Sequence, residues 1–414
     1  MSSSLLFTHI AGGAAQNDAL TRYYPIAGGL STTTTSQNAK IAIREAGTMS
    51  NFFVRVTTNT HTTAGSVFSV ERSNNDELGI TFAAAETGIK ENTGTSTAYI
   101  SGDEANFECA TAANVGTTTI TIASMGVQFN PTDTSRTVSW MGVLPGLSTS
   151  ATSTTWWINP NSYGDYTTTE ANAKYRVRGS FTASNLYVTV TSNPKTMTFK
   201  TRVNGADGAQ LVSFAAAETG TKEDTSNTDA LVAGDDYYYQ VTVGTEAGTS
   251  QWWMVSTKLL STSGEFMIES ARSTGVLAQA FNVTNFMAPG SDVQGISTTE
   301  TDVNSAPRFN FTAKELSALV TANTIATSAT VVRTRVNLGN GSQSLSYAAG
   351  ETGLKSDSVN TDVITGDGTN EFNYSVVTPN TSGSISFKWV GVIGLIPAVV
   401  TSTFLPRLMM LGVG

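Results

Sequence analysis

The chain offers very little reactive chemistry. Its 414 residues include one cysteine, Cys109, and two histidines, His9 and His61. A lone cysteine excludes an intramolecular disulfide, so stability must come from apolar cores and from assembly. Cys109 itself reads as a small buried side chain on a strand. The two histidines fall in an N-terminal arm and a strand-joining loop, leaving no material for a Ser-His-acid triad or a histidine-rich metal centre. Charged residues make up 13% of the chain, about half the usual share. The net charge is −9, with 23 Lys and Arg spread along the whole length. That distribution argues against a nucleic-acid partner, which needs clustered cations. Long apolar runs are also missing. Met1 to Phe7 carries no basic stretch or apolar run of the signal-peptide kind, so general secretory export is not expected. The stretch from Val390 to Gly414 is apolar but interrupted by Pro397, Pro406 and Arg407; it suggests a strand plus an extended arm and no membrane span.

What the chain does have is repetition. Phe82-Ala83-Ala84-Ala85-Glu86-Thr87-Gly88 returns as Phe214 to Gly220 and as Tyr347-Ala348-Ala349-Gly350-Glu351-Thr352-Gly353, with intervals of 132 and 133 residues between the glutamates. A period of that size marks a tandem array of domain-sized units. The flanks repeat too. Upstream strands end near Asn59, Asn193 and Asn323; Thr201-Arg202-Val203-Asn204 matches Thr334-Arg335-Val336-Asn337 and, more loosely, Glu71-Arg72-Ser73-Asn74. Lys90, Lys222 and Lys355 hold one position, and Gly-Asp recurs at Asp103, Asp235 and Asp367. Alternating runs such as Tyr237, Tyr239, Val241, Val243, bounded by Gly, Asn, Asp and Ser turns, predict an all-β chain. Three tandem β-sandwiches follow, with jelly-roll and immunoglobulin-like topologies both open. The expected layout is an N-terminal arm over 1–20, sandwiches over 21–130, 156–260 and 291–396, linkers over 131–155 and 261–290, and a C-terminal arm over 397–414.

Several residues invite a chemical reading. Glu86, Glu218 and Glu351 could be shared acids or ligands, but each sits in a Glu-Thr-Gly turn where a carboxylate accepts backbone N–H groups and Gly88, Gly220 or Gly353 supplies a positive φ. An ion pair with Arg72, Arg202 or Arg335 is a further structural use. The carboxylates around Asp103, Asp235 and Asp367 could hold Ca²⁺, yet only Asp235-Asp236 and Asp103-Glu104 place two acids together, so a hairpin turn is favoured. Trp156-Trp157, Trp252-Trp253 and Tyr237 to Tyr239 could form a sugar platform. Because alternate strand residues face one side, these pairs suit core and interface packing better. Trp156, Trp157, Tyr238, Trp252, Pro397, Phe404 and Leu405 are the expected contact residues. No cofactor, metal or catalytic residue is expected.

The combination Thr201-Arg202-Val203-Asn204-Gly205-Ala206-Asp207, Ala217 to Thr225, Asn227-Thr228-Asp229 and Ala233-Gly234-Asp235 resembles β-sandwich modules of tailed-phage virion proteins, as does Ala46 to Asn51 with the strand after it. The resemblance covers most of each repeat, resting on turns and strands. Unit one lacks the Asn-Thr-Asp triplet, and unit three departs upstream of its glutamate phrase. The resemblance implies a non-enzymatic virion structural protein made in the host cytoplasm, its partners being other virion proteins, such as a major capsid protein or an appendage base, and copies of itself. A capsid decoration role leads; a fibre that recognises a host surface glycan and a self-assembling filament are the alternatives.

Overall fold

A computed structural model describes residues 4–27, 33–143, 147–160, 166–271, 282–290, 296–368, 370–379 and 382–397. Unit one contains β1 (Ser4–Asn17), β2 (Thr21–Tyr24), a one-turn helix α1 (Ser36–Ala39), β3 (Ile41–Ile43), β4 (Gly47–Asn59), β5 (Ser66–Arg72), β6 (Asn75–Asp76), β7 (Ile80–Phe82), β8 (Gly88–Tyr99), β9 (Asp103–Thr111) and β10 (Thr119–Pro131). Unit two contains β11 (Thr137–Val143), β12 (Leu147–Thr149), β13 (Thr155–Ile158), β14 (Tyr175–Arg176), β15 (Phe181–Ser192), β16 (Met197–Val203), β17 (Ala206–Phe214), β18 (Gly220–Leu231), β19 (Asp236–Val243) and β20 (Ser250–Ser261). Unit three contains β21 (Glu265–Ala271), β22 (Thr284–Met287), β23 (Ile296–Ser297), β24 (Phe311–Asn323), β25 (Thr330–Val336), β26 (Gly339–Tyr347), β27 (Gly353–Ile364), β28 (Phe372–Val377) and β29 (Ile385–Leu395).

All pairings are antiparallel, and they choose the topology. One sheet of each unit runs β1-β10-β4-β8, β11-β20-β15-β18 or β21-β29-β24-β27; the facing sheet is built on β2-β9-β5, β13-β19-β16-β17 or β22-β28-β25-β26. Counting interrupted strands once, the first pairs with the eighth, the second with the seventh and the third with the sixth. That is a jelly roll of two interleaved Greek keys, not an immunoglobulin sandwich.

The first strand of every roll lies where an arm or linker was expected. β1 falls within 1–20, β11 and β12 within 131–155, and β21, followed by the second strand β22, within 261–290; each pairs into its unit's sheets. The units therefore begin near residues 4, 137 and 265. The apolar content of the expected linkers has a simple cause: in β11, Met141 enters the core of unit two while Trp140 joins the core of unit one.

Each long third strand carries a bulge at one register. Asn51, Asn185 and Glu315 have φ of 53°, 64° and 57°, and the pairing to the sixth strand shifts there in all three units. Units two and three fill the opening with a buried glutamine. Gln210 accepts from the Leu186 N–H and Gln343 from the Leu316 N–H, both at 2.8 Å. Each also donates to a buried aspartate, Asp229 or Asp362, which anchors the Asn-Thr-Asp triplet.

Candidate functional site

The repeated glutamate phrase is a turn with a fixed set of partners. Glu86, Glu218 and Glu351 accept from the backbone N–H of Ala83, Ala215 and Ala348 at 2.8, 2.9 and 2.7 Å. Each pairs with the lysine four residues on, at 2.6, 2.6 and 2.7 Å. The lysine hydrogen bond, then the backbone bond, holds each carboxyl below its ordinary range. Lys90, Lys222 and Lys355 lie over the rings of Phe82, Phe214 and Tyr347, 5.2, 5.1 and 5.2 Å from the centroids. Gly88, Gly220 and Gly353 take φ near +104°. The expected arginine partners go elsewhere: Arg72 to Glu77, Arg202 to Glu170 and Asp207, Arg335 to Glu300. Lysine wins because it follows on the same strand, on the side of the turn.

The Gly-Asp motif aligns in only two units. Asp103 and Asp235 accept from the N–H three residues earlier, Ile100 and Val232, at 3.0 and 2.8 Å. In unit three that structural place belongs to Asn370, since Asn337 bonds Asn370 where Asn204 bonds Asp235. Asp367 instead accepts from Asn370 N–H at 2.9 Å. These carboxylates are occupied by turn N–H groups, as a hairpin role requires.

The aromatic candidates divide. Tyr238 and Trp252 are wholly buried inside unit two, which corrects their expectation as contact residues: Tyr238 donates to Glu170, and Trp252 packs on Phe199 at 6.0 Å. Trp157 is half-buried between Tyr238 and the Arg202 guanidinium, and Trp156 packs on Tyr166. Pro397 is exposed just beyond β29. Phe404 and Leu405 lie outside the described residues.

The most extensive feature is one that no single motif announced: three seams built on one register. At the seam between units one and two, Tyr187, Met254, Val138 and Trp140 from the outer face of the β11-β20-β15 sheet join the core of unit one, and Tyr187 donates to Glu104 at 2.9 Å. At the seam between units two and three, Met267, Leu319, Trp389 and Ile393 from the corresponding face join the core of unit two, where Trp389 meets Tyr175 at 5.3 Å. Strand pairing makes Met254 and Trp389 equivalent, and likewise Trp140 and Met267. The same face of unit one meets unit three, where Arg55 pairs with Glu371 at 2.9 Å and β1 approaches β23. Each sheet thus meets the preceding unit, and the third contact closes the ring. This is the heterologous threefold closure of a cyclic trimer, contained in one chain.

An arginine seven residues before each bulge marks the seams. Arg44 of unit one forms a forked pair with Glu223 of unit two, its Nε donating at 2.8 Å, while Asn185 donates to the same carboxylate at 3.1 Å. Arg308 of unit three pairs with Glu91 of unit one, its Nε donating at 3.1 Å. The third member, Arg178, faces unit three, where Ser356 occupies the position of Glu91 and Glu223. Its Nε and one Nη are buried without a hydrogen bond. Burial lowers its pKa, against the attraction of Tyr175 and of Glu315 across the seam.

No family model and no curated protein matches the chain. Among solved structures, it is similar to a triple jelly roll from an archaeal virus with a turret assembly, at 13% identity over 94% of this chain and 90% of that one, with a TM-score of 0.19. It is likewise similar to a structure of Sulfolobus Turreted Icosahedral Virus, at 12% identity over 94% and 95%, again with a TM-score of 0.19. At such scores the jelly-roll assignment rests on the strand order of this chain itself.

Proposed function

We propose that this chain is a non-enzymatic structural component of a virus particle, a single-chain pseudo-trimer that decorates and stabilises the shell. The observation that carries the reading is the closed ring: three jelly rolls joined at equivalent registers present one pseudo-threefold body. Such a body suits a threefold or quasi-threefold position on an icosahedral lattice, where three similar contacts can be made at once. The resemblance of the repeats to tailed-phage virion modules points the same way. So does the use made of the recurrent carboxylates, which are spent on turns and seams. The partners would be the shell protein beneath and neighbouring copies of this chain, and the place of action the virion.

The test is to add purified protein to shells lacking it and to image them by electron microscopy. Three-lobed density centred on threefold positions, with raised heat resistance of the shells, is expected. Failure to bind shells, or assembly into filaments, overturns the reading.

A further inference from the structure

Each unit has an equivalent cluster of side chains on the outer face of its second sheet, and in two of the three an arginine supplies a cation there. In unit two, Arg202 lies over Trp157 at 5.2 Å, pairs with Asp207, and reaches Glu170 at 3.1 Å. In unit three, Arg335 lies over Phe286 at 5.5 Å, reaches Glu300 at 2.6 Å and bonds Asn340. Strand register places Glu71 of unit one, and not Arg72, where these arginines stand: Glu71 pairs across to Asp76 and Asn106, as Arg202 does to Asp207 and Tyr238. Ser36 replaces the glutamate partner, and Tyr23 takes the aromatic place.

The guanidinium has thus been exchanged for a carboxylate, and the cluster is left acidic. Carboxylate oxygens of Glu71, Asp76 and Glu108 lie within 4.8 Å of one another. None of the three has an ion-pair partner among the described residues. Asn106, wholly buried on the same face of its strand, donates to the Ser36 hydroxyl, which in turn bonds Glu71. Its Oδ1 has no hydrogen bond; Asn373, the equivalent in unit three, carries the same free oxygen beside Arg335. Asn106 and Asn373 thus hold the same place on their sheets, and unit one sets three carboxylates around that place.

We propose that Glu71, Asp76 and Glu108, with Asn106 Oδ1, hold a hard divalent cation of the Ca²⁺ type, which takes the place of the sister units' arginine. All donors are oxygens, the set such an ion prefers. Burial, together with Asp76 and Glu71, pushes the Glu108 carboxyl up to about 7, and Tyr23 bonds it.

The test uses the full chain, with Ca²⁺ in thermal unfolding and Tb³⁺ in luminescence sensitised by Tyr23. Ca²⁺ should raise Tm by several degrees, and Tb³⁺ emission should be displaced by excess Ca²⁺. E108Q should weaken both signals at least tenfold in cation concentration. S36E/E71R, which rebuilds the arginine arrangement of units two and three, should unfold near the Ca²⁺-loaded wild type and ignore the cation. A wild-type Tm unmoved by millimolar Ca²⁺, or emission unchanged in S36E/E71R, overturns the proposal. Stabilisation by acid alone, with no response to cation, does the same.

Discussion

The seam between units two and three can be repaired, and the repair measures whether the ring is real. Arg178 stands where Arg44 and Arg308 stand, but its partner position holds Ser356, and Glu315 replaces the asparagine that supports the Arg44–Glu223 pair. The double substitution S356E/E315N reproduces the Arg44–Glu223–Asn185 arrangement. Glu315 must change as well, because two carboxylates beside one guanidinium would repel each other. A charged hydrogen bond at full burial is worth about 1.5–3 kcal/mol, but the side chains of Arg44 and Glu223 are 28% and 20% exposed. Solvent screening reduces the expected gain to about 1 kcal/mol. Asn tolerates a positive φ better than Glu, so E315N alone is the reference. In scanning calorimetry the double variant should unfold about 1–3 °C above E315N. Repeating the pair in an R178A background isolates the coupling. If S356E stabilises equally with and without Arg178, the guanidinium does not reach across the seam and the threefold argument fails.

Three further outcomes follow from the same geometry. W389A should cost about 3–5 kcal/mol as a buried indole is removed, and because Trp389 packs on Tyr175 of unit two, a split calorimetric transition should reveal uncoupled units; a single transition at the wild-type Tm would contradict the seam. Lys388 is buried, and desolvation lowers its pKa to about 7. The unfolded chain binds that proton more tightly, so this lysine's contribution to stability should rise as pH goes from 7 to about 10 and then level off; the stability difference between wild type and K388M in urea titrations should shift in favour of wild type over that range, and a constant difference would contradict it. Ala217 holds φ of 66° where unit three has Gly350 at 71°. Relief of about 1–2 kcal/mol of left-handed strain, less about 0.4–1 kcal/mol of added unfolded-state entropy, predicts that A217G is modestly stabilising in urea denaturation, whereas a destabilised A217G would show the turn to be unstrained.

Sequence and structure agree best where structure is local. The Glu-Thr-Gly turn and its lysine are four residues apart, so their repetition shows plainly along the chain. Register across a sheet is harder to read. Arg72 looked equivalent to Arg202 because both sit in Arg-x-Asn surroundings, yet the hairpin pairs Glu71 with Asp76 and puts Arg72 beside Asn75. In unit three, two extra residues before Asn370 moved the apparent Gly-Asp match away from the true turn. The seams were hidden for a different reason: Arg44 and Glu223 are 179 residues apart, and one of three equivalent pairs has been lost. β11 and β21 passed for linkers because both of their faces are apolar, one for their own core and one for a neighbour.

That loss is itself informative about the architecture. In a trimer of identical chains, a substitution that empties one seam empties all three, and dissociation follows. Covalent connection changes the arithmetic, since the third contact is held at high effective concentration by the other two. Arg178 can then lose its partner while the ring stays shut on Trp389 and Tyr175. The same freedom lets unit one exchange an arginine for Glu71 without imposing an acidic cluster on its sisters. A fused ring therefore keeps threefold geometry where the interior demands it, while its three outer faces diverge.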